Sequence, residues 1–139
     1  MIDNKFKFST SEIRSGLKEF YELYDNRPIK DNQGGMKSPH LFNTWLLVKK
    51  INPKLIIESG VWKGLGTWIL EKAAPDAEIL SFDVTYNHLE YSSEKVQYFQ
   101  QDITTINWNK PLEEKYPSIK KEAILIFLDD HQDFLNRIE

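Results

Sequence analysis

The sequence has 139 residues, the length of one domain, and 40% of them are hydrophobic and 13% aromatic, which is enough to build a core. The formal net charge is -3 with acidic and basic residues interspersed, so nucleic acid is an unlikely partner. The chain has no cysteine, which excludes disulfide scaffolds, thiolate zinc sites and cysteine nucleophiles. It has neither an apolar signal sequence nor an apolar run of about 20 residues, and we therefore expect a cytoplasmic protein without a membrane segment.

Two helices joined by a long loop are predicted at the N-terminal end. Ser9 and Glu12 have the spacing of a capping box at the start of an amphipathic helix. Residues 25–37 contain Pro28, Gly34 and Gly35, which interrupt any period, so they form a loop, either over a binding site or as a flexible connector. Ser38 and Pro39 then supply a cap and a first-turn proline for the second helix.

Four short apolar runs follow and predict parallel strands. They are 55–57, 79–82, 96–100 and 123–128. Such nearly continuous apolar strands are typical of a parallel sheet covered on both faces, and residues 67–74 suit a crossover helix. Residues 85–95 and 104–122 are weaker helix candidates. We predict an α/β fold in which residues 1–53 (helices and loop) and 54–139 (the sheet) form a single structural unit.

Each predicted strand ends in or beside a carboxylate. These acids are Glu58, Asp83, Asp102, and Asp129 with Asp130. Ligands of open parallel sheets bind at the carboxyl ends of the strands, so the four positions together indicate a binding site. Polar residues also commonly follow strands, and Asp83 and Asp102 are each open to interpretation as an ordinary cap or turn residue.

The first strand runs into a glycine-rich turn that opens a helix. The sequence from residue 58 is Glu-Ser-Gly-Val-Trp-Lys-Gly-Leu-Gly-Thr. A dinucleotide fingerprint needs glycines where Trp62 and Leu65 stand, so an NAD or FAD site is excluded on steric grounds. A phosphate-binding P-loop needs a lysine between glycine and Ser/Thr, and Gly66-Thr67 lacks it.

This turn matches the Glu-x-Gly-x-x-x-Gly form of class I S-adenosylmethionine-dependent methyltransferases. The runs 57–64 and 128–131 (Leu-Asp-Asp-His) resemble the cephalosporin-hydroxylase-like and macrocin O-methyltransferase-like branch. The resemblance spans roughly residues 36–135 and covers only the N-terminal part of such an enzyme. It implies a Rossmann-like methyltransferase fold, S-adenosylmethionine as cofactor, and O-methylation of a small hydroxylated acceptor.

The resemblance also implies roles for individual positions. Those matched to the methionine part of the cofactor are Glu58, Gly60, Val61, Trp62 and Gly64. Asp83 would accept hydrogen bonds from the ribose hydroxyls, and Asp102 would lie beside the adenine. His40 and His88 have no partnered spacing, and we expect them at a helix start and in a surface loop.

The run Asp129-Asp130-His131 has three open interpretations. Its carboxylates and imidazole suit Mg²⁺ or another divalent cation, with Asp129 and Asp130 as ligands. Alternatively, Asp129 contacts the methionine amine and His131 is the general base for a substrate hydroxyl. The third interpretation is that these are solvated turn residues.

A complete class I fold has seven strands, with the fourth beside the first. Residues 123–128 would therefore form an open edge that is hydrophobic on both faces. We favour a truncated fragment, because no edge-protecting lysine, proline or break is present; a homo-oligomer or another partner is the alternative. Two other functions remain open: an inactive cofactor-binding or interaction module, and a non-methylating α/β enzyme such as a nucleotide-sugar enzyme.

Overall fold

The computed structural model describes residues 6–108, 114–117, 119–120 and 123–129. The elements in chain order are α1 (Thr10–Asp25), α2 (Ser38–Ile51), β1 (Leu55–Ser59), α3 (Leu65–Ala73), β2 (Glu78–Asp83), β3 (Val96–Gln100) and β4 (Ile124–Leu128). A short 3₁₀ helix, Ile103–Thr105, follows β3. All four predicted strands are present.

The four strands form one parallel sheet in the order β3-β2-β1-β4. In this register Glu58 of β1 lies opposite Ser81 of β2 and Phe127 of β4. The chain leaves β1 toward β2 and β3 on one side and later returns to place β4 on the other side. The strand order therefore reverses at β1, and in open α/β sheets a ligand crevice forms at the carboxyl end of such a strand.

Alternate side chains of the sheet enter two separate cores. On one face, Ile56 and Ile79 pack with the three helices. On the other face, Leu55, Ile57 and Leu80 pack in a second cluster that includes residues following β3. All five residues of β1 are buried, because this strand has a neighbour on each side and is covered on both faces.

The N-terminal helix begins as predicted from its capping box. The Ser9 hydroxyl accepts a hydrogen bond from the Glu12 backbone N–H (3.1 Å), and the Glu12 carboxylate accepts one from the Ser9 N–H (2.7 Å). The Ser9 backbone bond and Lys50 of α2 lower the pKa of Glu12 to about 2. Fully buried Phe20 then packs against Trp45 of α2, so an aromatic contact joins the first two helices.

Two local predictions are wrong. Residues 85–95 are not helical; they form a loop whose backbone donors at Glu90 and Tyr91 bind the carbonyl of Lys63 instead of an intrahelical partner. The N-cap of α2 is Lys37, without a side-chain cap, and Ser38 is the first helical residue. Of the predicted helix 104–122, the described part includes the end of the 3₁₀ helix, while residues 109–113, 118 and 121–122 lie outside the described residues.

β4 occupies an edge of the described sheet, beside β1, as expected. Leu125 and Phe127 point toward the helix-covered core. Ile126, on the opposite face, is 60% exposed, and Leu128 is 38% exposed. Within the described residues, no helix has the length and apolar character needed to cross a membrane.

Candidate functional site at the β1–α3 corner

The turn between β1 and α3, residues 60–64, is here called the glycine loop. Gly60, Trp62 and Gly64 have φ angles of 91°, 52° and 95°, so three of its five residues adopt left-handed conformations. A Cβ atom on Gly64 would lie 2.4 Å from the carbonyl oxygen of Tyr91. Glycine is therefore required at residue 64 by backbone conformation and by space. The Gly60 N–H donates to the Phe82 carbonyl (2.9 Å), which fixes the loop against the end of β2.

Asp83, at the end of β2, is bound to this loop. Its Oδ2 accepts hydrogen bonds from the backbone N–H groups of Val61 (2.8 Å) and Trp62 (3.2 Å). Its Oδ1 accepts from the Thr85 N–H (3.2 Å). Because a carboxylate oxygen has about two lone-pair sites, Oδ2 is occupied and Oδ1 has capacity for one further donor. The structure thus brings the glycine loop and Asp83 together, and it assigns Asp83 a structural role that the sequence does not reveal.

Glu58, in β1, is fully buried. Its Oε2 accepts hydrogen bonds from the hydroxyls of Ser81 (2.5 Å) and Thr67 (2.8 Å). Its Oε1 has no hydrogen-bond partner among the described residues. Burial raises the pKa of Glu58 to about 7, and the negative charges of Asp129 and Asp83 act in the same direction, whereas the two hydroxyls act to lower it.

The unpartnered oxygen lies beside the start of α3. A Cβ atom on Gly66 would be 3.3 Å from Glu58 Oε1 and 3.2 Å from the terminal methyl of Met36. Gly66 is in the first turn of α3, whose N-cap, Gly64, provides no side-chain hydrogen bond. The first backbone N–H groups of a helix lack intrahelical partners and carry its positive end. A buried acceptor and a set of helix N-terminal donors are therefore neighbours.

Trp62 joins the glycine loop to both neighbouring loops. Its indole N–H donates to the Gln33 carbonyl (2.8 Å), and its ring packs 3.4 Å from the position that a Cβ on Gly34 would take. The ring also contacts the imidazole of His88, with ring centroids 4.5 Å apart. The loop 26–37 is thus held against the glycine loop, which favours its interpretation as part of the site.

Lys63 makes a second set of connections between the same segments. Its ammonium group donates to the Asp31 carbonyl (2.9 Å) and pairs with Glu90 (2.6 Å). Its own carbonyl accepts the N–H groups of Glu90 and Tyr91, both at 3.0 Å. The side chain and the backbone of one residue therefore fasten the glycine loop on both sides.

The remaining strand-end acids occupy different environments. Asp102 caps the 3₁₀ helix: its Oδ1 accepts from the N–H (2.9 Å) and hydroxyl (2.8 Å) of Thr104. The Asp129 N–H donates to the Ser59 carbonyl (2.8 Å), which places Asp129 at the carboxyl end of β1. Asp130 and His131 lie outside the described residues. Within the described ranges, no three His, Asp or Glu side chains are arranged to hold a metal ion.

Sequence reasoning missed Thr67, Ser81 and Met36 as members of this site. Ser81 had a signal: it interrupts the apolar run of β2, and in a parallel pairing of these strands it lies opposite Glu58. Thr67 follows the glycine-rich turn directly. No sequence signal marked Met36 or Gln33, because their contacts depend on how a nonperiodic loop folds over the sheet.

No protein-family model matches the chain, and no curated protein matches it. Among solved structures, "cmcI-N160 SAH" is similar, with 12% sequence identity and a TM-score of 0.54 over 99% of this chain and 71% of that one. A second, "cmcI-D160 Mg-SAM", has 10% identity and a TM-score of 0.47 over 99% of this chain and 61% of that one. The first likeness confirms the predicted fold class: a Rossmann-like methyltransferase fold with a four-stranded parallel sheet preceded by two helices.

Proposed function

We propose that this chain binds S-adenosylmethionine at the β1–α3 corner and belongs to a methyltransferase that acts on a small hydroxylated acceptor. The observation that carries the proposal is the unpartnered oxygen of fully buried Glu58 beside the uncapped start of α3. The fold adds support, because the similar structure "cmcI-N160 SAH" is that of a protein with S-adenosylhomocysteine.

The corner offers complementary groups for both ends of an α-amino acid. Glu58 Oε1 is an acceptor for the ammonium group, and its burial strengthens the attraction. The first N–H groups of α3, with the positive end of the helix dipole, are donors for the carboxylate. Gly66 supports this fit, since a side chain there would be in close contact with Oε1.

The nucleoside part would extend along the carboxyl ends of the neighbouring strands. Asp83 has capacity at Oδ1 for one ribose hydroxyl while its other oxygen holds the glycine loop. We propose that it binds one hydroxyl rather than both. Asp102, after β3, remains the predicted neighbour of the adenine, and its side chain caps the 3₁₀ helix through the Thr104 N–H.

For transfer, the bound sulfonium supplies an activated methyl group. The chain must hold the acceptor oxygen in line with that methyl group and remove the hydroxyl proton. Asp129 lies at the carboxyl end of β1, the end of the strand from which the glycine loop starts. We keep His131 as the proposed base, and Asp129 with Asp130 as proposed ligands for a divalent cation.

Isothermal titration calorimetry with S-adenosylmethionine and S-adenosylhomocysteine tests the binding proposal. Both should bind, and 5′-methylthioadenosine, which lacks the amino-acid part, should bind at least about tenfold more weakly because it forfeits the Glu58 and α3 contacts. Absence of heat for both full ligands, in a sample shown to be folded by circular dichroism, would overturn the proposal. Equal affinity for the truncated ligand would exclude the β1–α3 corner as the amino-acid site.

A second candidate function is a binding module that performs no transfer by itself. The exposed face of β4, with Ile126 60% exposed, favours it, because such a surface suits coverage by a second copy or another partner. Transfer of a labelled methyl group to hydroxylated acceptors, with and without Mg²⁺, separates the two candidates. Ligand binding without transfer in the isolated chain would favour the module.

A further inference from the structure

We infer that Ser81 and Thr67 are positioning residues that hold Glu58 with one carboxyl oxygen reserved for a ligand ammonium group, and that this ligand replaces a proton on Glu58 when it binds. The inference rests on the proposed function and extends it, because it assigns roles to two hydroxyls and predicts that binding is coupled to proton release.

The hydrogen-bond geometry supports the positioning role. Both hydroxyls donate to the same oxygen, Oε2, at 2.5 and 2.8 Å, and both residues are fully buried. Ser81 comes from β2 and Thr67 from α3, so the carboxyl group is held from two rigid elements rather than from the loop. Oε2 is thereby saturated, and the carboxyl plane is fixed with Oε1 directed to Gly66.

The surrounding charges explain why a proton occupies the acid before a ligand binds. The β2 element contributes Asp83, and Asp129 follows β4; both add negative charge near Glu58. The hydroxyls of Tyr86 and Tyr98 are also within electrostatic range of Glu58, and burial raises the pKa of each above its ordinary value. Among the described residues, no lysine, arginine or histidine forms an ion pair with Glu58. Ionising a buried carboxyl group in such surroundings costs free energy, so the neutral acid is favoured.

Glu71, the acid of α3, accepts a hydrogen bond from the Tyr91 hydroxyl (2.8 Å). The exchange is balanced: neutral Glu58 and an ammonium ligand become a carboxylate–ammonium pair, and one proton passes to the solvent. Ser81 and Thr67 stabilise the carboxylate formed in this step, because each donates a hydrogen bond to it.

The pH dependence follows from this exchange. Protonated Glu58 cannot accept the ammonium group at full strength, so acid competes with the ligand. With a pKa of about 7 in the free protein, affinity should be about tenfold greater at pH 7.5 than at pH 6. If the ligand preferred the neutral acid, its affinity would instead fall as the pH rises.

Calorimetric titration of S-adenosylhomocysteine at pH 6 and pH 7.5, in buffers of different ionisation enthalpy, measures both affinity and protons released. The intact chain should release most of one proton at pH 6 and bind about tenfold more tightly at pH 7.5. Glu58→Gln imitates the neutral acid. This variant should bind the ligand more weakly, should release no proton, and should lose most of the pH dependence of the affinity. This variant leaves every other side chain unchanged, so it isolates the share of the pH dependence that is due to Glu58.

Ser81→Ala and Thr67→Val test the positioning role, with exposed Ser92→Ala as the matched control. Each should weaken binding at pH 7.5 by about tenfold, the effect of one hydrogen bond to a charged group, and move the midpoint of the pH dependence upward. Ser92→Ala should match the intact chain in its affinity at pH 7.5 and in the midpoint of its pH dependence. Circular dichroism and thermal unfolding establish that the variants are folded.

The outcomes separate the inference from the proposed function. Equal affinity at both pH values with no proton release from the intact chain would overturn the inference and leave ligand binding intact. An unchanged pH midpoint in folded Ser81→Ala and Thr67→Val would also overturn the positioning role. No binding by the intact chain at either pH would overturn the proposed function itself, and the inference with it.

Discussion

The carboxylate of Asp83 accepts the backbone N–H of Val61 at 2.8 Å, across 22 positions of sequence. The same oxygen accepts the Trp62 N–H, so a side chain at the end of β2 holds the turn that follows β1. This contact fixes the glycine loop before any ligand is present. It also makes Asp83 a structural residue as well as a candidate ligand contact, and the two roles respond differently to substitution.

Asp83→Ala should lower the free energy of unfolding by about 2 kcal/mol, because it leaves the buried N–H of Val61 without an acceptor. Asp83→Asn should cost less, since the amide oxygen can still accept from the glycine loop. Urea denaturation followed by circular dichroism measures both. Asp76→Ala, at an exposed turn aspartate, is the control and should change stability by less than about 0.5 kcal/mol. Equal stability of Asp83→Ala and the control would contradict a stabilising role for the bonds between Asp83 and the glycine loop.

Glu58→Gln should alter how stability depends on pH. Burial raises the folded-state pKa of Glu58 to about 7 from its usual value of 4.5, so the folded protein binds the proton more tightly than the unfolded chain does. Its contribution to stability is therefore greatest below about pH 4.5 and is lost as pH rises to about 7. Relative to the intact chain, Glu58→Gln should gain on the order of 3 kcal/mol across that window.

Urea denaturation at pH 5, 6, 7 and 8 measures this difference, with the exposed Glu94→Gln as control. The control curve should run parallel to that of the intact chain. A constant difference between Glu58→Gln and the intact chain at all four pH values would show that Glu58 ionises normally in the fold.

Gly64→Ala and Gly34→Ala form a matched pair of substitutions at left-handed positions. Both glycines have positive φ angles, 95° and 83°, so each alanine carries conformational strain of about 1–2 kcal/mol. At Gly64 the added Cβ also meets the Tyr91 carbonyl at 2.4 Å, whereas at Gly34 its nearest contacts are Trp62 ring atoms at 3.4 Å. Gly64→Ala should therefore be the more destabilising in thermal unfolding. Similar losses for both would mean that the backbone beside residue 64 yields readily.

Trp62→Phe should loosen the loop 26–37 while leaving the sheet intact. It removes the indole bond to the Gln33 carbonyl and retains an aromatic ring beside His88. Hydrogen–deuterium exchange should become faster in the loop, by up to about tenfold for the loss of one hydrogen bond. Trp108→Phe also removes an indole-to-carbonyl bond, to Ile103, and should not affect this loop. Unchanged exchange in Trp62→Phe would show that other contacts hold the loop.

The strands and the first helix were predictable because their signals are local. Apolar runs marked each strand, and the spacing of Ser9 and Glu12 marked the start of α1. The false helix at 85–95 shows the limit of such signals: the backbone donors there bind the Lys63 carbonyl, and a contact between distant segments overrode the local preference.

The site was predictable only in part, for a similar physical reason. The sequence placed acids at the ends of β1 and β2, and the sheet brings both beside the glycine loop. It gave no sign that one oxygen of Asp83 is occupied by backbone donors, because that depends on the left-handed conformation of Trp62. Predicting that Ser81 and Thr67 bind Glu58 would have required the register of β2 against β1 and the position of α3.

The amide spectrum of ¹⁵N-labelled protein titrated with S-adenosylhomocysteine is the sharpest test of the proposed site at the β1–α3 corner, since it reports where a ligand binds as well as whether it binds. Binding at this corner should give saturable shifts for the amides of the glycine loop, Gly66 and Asp83, with the amides along the outer surface of α1 unchanged. Saturating ligand that leaves the β1–α3 corner unshifted, or that shifts only distant amides, would contradict it.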